Sequence, residues 1–149
     1  MPRGALPLSC SWPIWERGQK FDLGCILNCA VIDLIEPVET GALGVHHAGL
    51  WECDLKTENL TWSGGVYDIF GLERGVAITR DQAVRHYRAD SREKLGRLRA
   101  HAIKHKRGFT LDVEIDAAAV RERRWMRVIA APVLEGDRVV RLQGLKLII

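Results

Sequence analysis

The stretch GLWECDL at residues 49–55 indicates the fold, because apolar and acidic side chains alternate along it. Trp51 and Cys53 fall on one face of such a segment, and the acidic residues that follow each of them fall on the other. This two-residue period predicts a half-buried strand. Residues 56–59 (KTEN) are polar turn material, and LTWS at residues 60–63 resumes the alternation. The two segments therefore predict two short strands joined by a tight turn.

A small helix is predicted directly after these strands. Ser63 can cap its N-terminus, since serine is among the preferred N-cap residues. Val66, Ile69 and Phe70 recur at helical spacing and form its apolar stripe. Gly71 suits the C-terminal stop, where a left-handed backbone conformation favours glycine. The predicted unit is strand, strand, helix, closed by a glycine.

The rest of the chain predicts two more helices and three strands. The helices are expected at residues 81–87 and 91–106, and the strands at 109–116, 124–134 and 138–149. Asp90 or Ser91 is the expected cap of the longer helix. Gly136 and Asp137 form the expected turn between the last two strands.

This order of elements resembles that of the PAS domain family. Residues 49–55 are similar to its Gly-x-Trp-x-x-Asp-Leu strand, and YDIFGL at 67–72 to its first small helix. YRADSRE at 87–93 and RWMR at 124–127 resemble later motifs of the same subgroup. The resemblance covers residues 43–149. It implies an α+β fold with a five-stranded antiparallel sheet flanked by short helices, and an extra helix on the N-terminal side.

The N-terminal part divides into two regions. Residues 1–20, rich in Pro and Gly, are expected to be a flexible arm. Residues 21–42 are expected to hold a flanking helix, over 21–36, and a linker. The apolar residues of that helix, which form the expected dimer interface, are Ile26, Leu27, Ala30, Val31 and Leu34. Packing of the same helix on its own sheet is the alternative.

The resemblance implies a sensor or docking module rather than an enzyme. No phosphate-binding loop, His-Glu-x-x-His or Gly-x-Ser-x-Gly motif occurs in the sequence. No kinase, cyclase or DNA-binding segment follows the last strand, so a signal is expected to pass to a partner signalling protein. The expected function is a small PAS regulatory module of bacterial-type signalling, with room for a small-molecule ligand. The alternatives are a ligand-free interaction scaffold and an input fragment of a sensor histidine kinase.

A ligand pocket, if present, is expected between the sheet and the helices. Aromatic and aliphatic residues at strand and helix spacing either line such a pocket or simply fill the core. The candidates are Tyr67, Phe70, Leu95, Val113, Trp125 and Met126.

No cofactor is required by the sequence, and its identity stays open. Covalent flavin chemistry is disfavoured, because Asn28-Cys29 lies outside the PAS-like portion and lacks the rest of the flavin motif. Haem or another metal would need axial ligands, for which His86 or the pair His101 and His105 are the candidates. On their helix, His105 is expected at the margin of the apolar stripe and His101 further out, so no metal site is predicted.

Composition is that of an ordinary globular domain, with 149 residues, 47% hydrophobic and 28% charged. No apolar run is long enough to span a bilayer or to form a secretory signal, so a cytoplasmic protein without membrane contact is expected. The net charge is +3, but residues 80–107 carry ten basic and three acidic side chains. Such runs are usually solvated faces, and nucleic acid is therefore not the favoured partner.

Overall fold

A computed structural model describes residues 7–21, 48–118 and 122–149 of the chain. The strands are β1 (Ser9–Pro13), β2 (Ala48–Asp54), β3 (Asn59–Trp62), β4 (Ile78–Thr79), β5 (Arg107–Ala117), β6 (Glu122–Glu135) and β7 (Arg138–Ile148). A 3-10 helix covers Ile14–Glu16, and the α-helices are α1 (Arg17–Phe21), α2 (Gly64–Phe70), α3 (Arg80–Val84) and α4 (Ala89–His105). None of the helices in these ranges is long and apolar enough to cross a membrane.

The strands form one antiparallel sheet in the order β1-β5-β6-β7-β2-β3-β4. The predicted α+β class is confirmed, but the expected count of five strands was wrong, because the described residues alone form a sheet of seven strands. The two additional strands are the outermost ones. β1 pairs with β5 and β4 pairs with β3, so each occupies an edge whose backbone groups would otherwise lack strand partners.

The N-terminal segment differs from the flexible arm expected at residues 1–20. Within its described part, β1 lies along β5 and Trp12 is only 2% exposed. The indole nitrogen of Trp12 donates a hydrogen bond to Thr110 Oγ1 at 3.0 Å. The backbone nitrogen of Leu8 donates to Asp112 Oδ2 at 2.8 Å. Edge pairing and one buried indole therefore order a stretch whose prolines suggested a loose arm.

The predicted strand–strand–helix unit is confirmed. Trp51 pairs with Trp62 across β2 and β3, and Gly71 ends α2 in the left-handed conformation with φ 69°. Ser63 occupies the N-cap position as expected, but its hydroxyl does not bond to its own helix. Instead, Ser63 Oγ accepts a hydrogen bond from the backbone nitrogen of Leu50 at 2.8 Å. The serine thus fixes the start of α2 against β2.

The longer helix also begins differently from the prediction. α4 starts at Ala89 with Arg88 as its N-cap residue, so the expected caps Asp90 and Ser91 were wrong. Ser91 is buried, and its hydroxyl accepts a hydrogen bond from the backbone nitrogen of Glu114 at 2.9 Å. The side chain that suggested a helix cap therefore ties α4 to β5.

Apolar side chains pack on both faces of the sheet. The inner face packs against α2, α3 and α4 and forms the main core. A second group, called here the outer cluster, lies on the opposite face and consists of Trp12, Ala48, Ile129, Ala131 and Leu145. The helix expected at residues 21–36, with its five predicted interface residues, lies outside the described ranges.

Candidate ligand site

A cavity of about 40 Å³ lies between α3, α4 and the inner face of the sheet. Its aliphatic walls come from Leu60, Ala83, Val84, Leu95, Val128 and Leu142, and its aromatic walls from Trp51, Tyr87 and Phe109. The remaining lining residues are Cys53, Arg80, Arg99 and Lys146. One water molecule needs roughly 10–15 Å³ of cavity volume measured in this way, so the cavity has room for about three water molecules.

Lys146 is the unusual member of this lining, because it is a lysine on the inner face of the central sheet. Residues Leu142 and Lys146 of β7 face the main core, whereas Leu145 between them belongs to the outer cluster. Lys146 is only 4% exposed. Lysine is almost never fully buried unless its charge is paired, so its surroundings need a specific explanation.

Four aromatic rings surround the ammonium group of Lys146, and we call them the aromatic cage. The distances from Nζ to the ring centroids are 5.1 Å for Trp51, 5.2 Å for Phe70, 5.4 Å for Trp62 and 5.8 Å for Tyr87. All four lie within the approximately 6 Å over which a ring face attracts a cation. The cage therefore offsets part of the cost of burying the lysine without supplying an opposite charge.

Hydrogen bonding satisfies only part of the ammonium group. Lys146 Nζ donates to Tyr87 Oη at 3.1 Å, and no carboxylate of the described residues lies within ion-pair distance. An ammonium has three donors. Burial lowers the pKa of Lys146 to about 7, and the nearby thiol of Cys53 opposes this shift. Lys146 is thus a buried amine whose charge changes near neutral pH.

Tyr87 and Cys53 are the uncharged polar groups of the site. Burial raises the pKa of the Tyr87 phenol, so it stays protonated at neutral pH. Burial also raises the pKa of the Cys53 thiol, whose closest acceptor is the carbonyl oxygen of Asp54 at 3.8 Å. The backbone of Tyr87 is fixed by a bridge to Ile115 of β5, and its carbonyl accepts from Arg92 at 3.0 Å.

Two arginines complete the polar lining. Arg99 of α4 donates to both carboxylate oxygens of Glu58 at 3.0 Å each, so its charge is balanced within the chain. Arg80, at the start of α3, forms no ion pair with any acidic side chain of the described residues. The cavity therefore has two cations, Lys146 and Arg80, that lack a carboxylate partner among those residues.

The cage also contains a buried donor without an acceptor. The indole nitrogen of Trp62 has no hydrogen-bond partner among the described residues, although this tryptophan is only 7% exposed. The ring is held by stacking on Phe70 at 4.6 Å and by an edge contact with Tyr67 at 5.1 Å. An unsatisfied buried donor is rare in proteins and usually has a specific cause.

The six residues expected to form a pocket occupy different places. Leu95 lines the cavity, and Phe70 is part of the aromatic cage. Val113 and Met126 are fully buried neighbours across β5 and β6 and fill the core. Tyr67 packs on Trp62, and its hydroxyl donates to the carbonyl oxygen of Val76 at 2.6 Å. Trp125, next to Met126 along β6, lies half-buried and faces away from the main core.

The sequence interpretation missed the cage lysine together with Trp51, Trp62 and Tyr87 as cage members. All three aromatics were recognised as parts of sequence motifs, but it was not apparent that their rings surround one lysine. The only available signal for Lys146 was its place between two leucines in an otherwise apolar strand end. That pattern ordinarily indicates a lysine exposed to solvent.

The histidines singled out in the sequence do not assemble a metal centre among the described residues. The rings of His101 and His105 lie 4.6 Å apart on α4, and both residues are exposed. His86 contacts the edge of Phe70 at 5.9 Å. In the ranges 7–21, 48–118 and 122–149, no cluster of three or more His, Cys, Asp or Glu side chains could hold a metal ion.

Comparison with known proteins identifies the fold. No protein-family model and no curated protein matches the chain. Solved structures do match, among them the N-terminal domain of a diguanylate cyclase with a PAS/PAC sensor from Marinobacter aquaeolei. It is 13% identical with a TM-score of 0.62, over 68% of this chain and 94% of that one. The chain has the PAS fold.

Two further PAS-like structures agree with this. A sensory box histidine kinase/response regulator from Burkholderia thailandensis matches with 18% identity and a TM-score of 0.60, over 76% of this chain and 85% of that one. An RNA-binding light-oxygen-voltage receptor matches with 18% identity and a TM-score of 0.59. The match covers 68% of this chain but only 29% of the receptor chain. At these identities the likeness establishes the PAS fold and leaves function to the site.

Proposed function

We propose that this protein is a sensory or regulatory PAS module of a signal transduction pathway. It responds to a small molecule in the cavity beside Lys146 and passes the change to a partner signalling protein by contact. The proposed role is regulatory rather than enzymatic. The fold, shared with domains of a diguanylate cyclase and of a histidine kinase, supports the signalling class. It carries no information about the ligand.

The observation that supports a ligand is the buried lysine at the cavity. Lys146 is 4% exposed and has aromatic rings and one phenol around it, with no carboxylate in ion-pair distance among the described residues. A buried charge of this kind destabilises a fold, and proteins tolerate such strain mainly at functional sites. A ligand that interacts with this group would couple directly to β7 in the centre of the sheet.

A second candidate function is supported by the small size of the cavity. About 40 Å³ is far below the roughly 300–1,000 Å³ of typical small-molecule pockets. Phe70, Val113 and Met126 are also completely buried. A ligand-free PAS scaffold that acts only through protein–protein contact is consistent with these facts.

Dimerisation is part of the proposal and rests on the sequence of residues 21–36. The apolar residues there, such as Ile26 and Val31, would pair with those of a second copy. Substitution of one of them by aspartate would place a charge in that interface. Such a buried, unpaired charge is strongly destabilising for association.

The experiment that tests the proposal is native mass spectrometry of the purified full chain. A dimer with a bound small molecule is expected. The Val31→Asp variant should be monomeric, whereas Val76→Asp, a matched change at a residue that is 47% exposed, should remain dimeric. A ligand-free dimer would favour the scaffold, and a Val31→Asp dimer would contradict the assigned interface.

A further inference from the structure

The polar groups around the cavity are almost all hydrogen-bond donors. Lys146 uses one of its three donors on Tyr87. Arg80 brings a further cation to the cavity wall. The third cation of the wall, Arg99, is paired with the carboxylate of Glu58. Among the described residues, the cavity lining thus holds no acceptor that carries negative charge.

The other walls limit what kind of acceptor fits. They are aliphatic and aromatic, and the space corresponds to about three water molecules, or roughly 90 Å³ of liquid volume. A strongly hydrated inorganic anion would lose its water against these apolar walls, at a large cost in free energy. An anion with a short apolar body would keep its charged end at the donors and place its carbons on the aliphatic wall.

We propose that the cavity binds a small organic monocarboxylate, of about two or three carbons, with Lys146 as its anchoring cation. This inference rests on the proposed function and names its ligand class. The carboxylate accepts from Lys146 Nζ, and Arg80 adds favourable charge at the wall. Ala83, Val84 and Leu142 contact the hydrocarbon part. Binding supplies the charge partner that the buried ammonium otherwise lacks.

The pKa of Lys146 supports this assignment. With burial lowering that pKa to about 7, part of the protein holds a neutral amine at neutral pH, and a bound carboxylate would favour the ammonium form. Affinity should therefore fall as the pH rises above about 7. The other titratable groups that face or adjoin the site are Cys53, Tyr87, Arg80, Arg99, Glu58 and His86. The pKa values of Cys53 and Tyr87 are raised by burial, so both stay protonated around neutral pH.

The test uses the indole N–H signals in ¹H–¹⁵N NMR spectra of the full chain. Acetate is titrated at constant ionic strength against acetamide, its neutral analogue of the same size, and against inorganic phosphate. We expect acetate to shift, in a saturable manner, the signals of Trp51, which lines the cavity, and of Trp62, whose ring lies 5.4 Å from Lys146 Nζ. The signals of Trp15, which is 82% exposed, and of Trp125 on the opposite face should not move.

Lys146→Met is the decisive variant, because it keeps the length of the side chain and removes the charge. It should weaken acetate binding by tenfold or more, whereas Lys94→Met, which removes an exposed lysine of α4, should leave the affinity unchanged. Equal binding of acetamide, equal binding by Lys146→Met, equal binding of phosphate, or no binding of acetate would each overturn the carboxylate assignment. A different small molecule retained in native mass spectra would then still uphold the sensor proposal.

Discussion

The two faces of the sheet bury their side chains in opposite ways, and neighbouring residues of β7 illustrate the difference. Leu145 faces the outer cluster, where it is fully buried among apolar side chains. Lys146 faces the main core, where a charge-bearing group sits inside the aromatic cage. The outer face follows the usual rule that a buried charge is paired, as Asp112 is with Arg127, and the inner face breaks this rule at Lys146, which has no carboxylate partner among the described residues. That exception marks the candidate site.

The polar groups of the two faces also differ in how fully their charges and hydrogen bonds are satisfied. On the outer face, Asp112 is buried but bonded to Arg127 at 2.7 and 3.0 Å and to the backbone of Leu8. Its charge is thus fully satisfied, and that contact helps hold β1 on β5. On the inner face, Lys146 has a single phenol as hydrogen-bond partner. A buried charge that is bonded to its partners, such as that of Asp112, therefore belongs to the structural framework. A buried charge without an opposite charge beside it, such as that of Lys146, marks a candidate ligand site.

The largest expected effect concerns the outer face. Trp12→Ala should lower the free energy of unfolding by about 3–5 kcal/mol, because it empties a fully packed position and removes the bond to Thr110. Trp15→Ala is the matched control, since that indole is 82% exposed, and should change stability by less than about 0.5 kcal/mol. Urea unfolding of both variants gives the comparison. A small effect of Trp12→Ala would contradict an ordered N-terminal segment and support the flexible arm expected from the sequence.

The second prediction is a gain in the free energy of unfolding rather than a loss. Lys146→Met should stabilise the ligand-free protein by about 1–4 kcal/mol, because a buried cation is replaced by an apolar side chain of similar length. Burial lowers the pKa from 10.5 to about 7. Between these values the unfolded chain binds a proton that the native protein does not, so wild-type stability rises with pH.

The advantage of the methionine variant should therefore be greatest at or below pH 7 and shrink towards pH 10.5. Unfolding midpoints at pH 6.5 and 9.5 test this, and Lys94→Met supplies the baseline for loss of an exposed charge. Destabilisation by Lys146→Met at both pH values would mean that the cage already compensates the ammonium. The inner face would then not differ from the outer one.

The smallest expected effect concerns the satisfied charge on the outer face. Asp112→Asn should lower the free energy of unfolding by about 1–3 kcal/mol, since the amide presents a donor to Arg127 in place of one carboxylate oxygen. Asp137→Asn removes a carboxylate that pairs with Lys106 in full solvent and should leave the unfolding midpoint unchanged. Similar results for both variants in thermal unfolding would show that burial does not strengthen the Asp112 pair.

Local patterns predicted much of the fold because they act over a few residues. The alternation around Trp51, the helix before Gly71 and the turn at Gly136 each follow from neighbours in the sequence. Leu95 was identified as a pocket candidate because it lies on the apolar stripe of α4, which must face the sheet. The strand β1 escaped prediction because its partner β5 lies about 100 residues away along the chain, and edge pairing leaves little local signal.

Lys146 escaped prediction for a more specific reason. Val139 packs against the main core, so counting every second residue from it places Leu145 in the core and Lys146 in solvent. The register of β6 and β7 shifts between Val133 and Leu134, and this irregularity accommodates one extra residue in β7. A shift by one residue exchanges the two faces of a strand. The lysine therefore points inward because of a β-bulge that no local sequence pattern predicts.

The sequence by itself determined the five inner strands, the small helices between them, their order and the α+β class, because helix and strand periodicities are properties of short segments. Only the tertiary structure decided which face each residue of β7 occupies and which rings meet around Lys146. Trp51 in β2, Phe70 in α2 and Tyr87 in the connection between α3 and α4 come from three separate segments, and they converge because the sheet register and the packing of α2 against β2 bring them together. A site assembled in this way depends on distances between segments, which the order of residues along one segment does not contain.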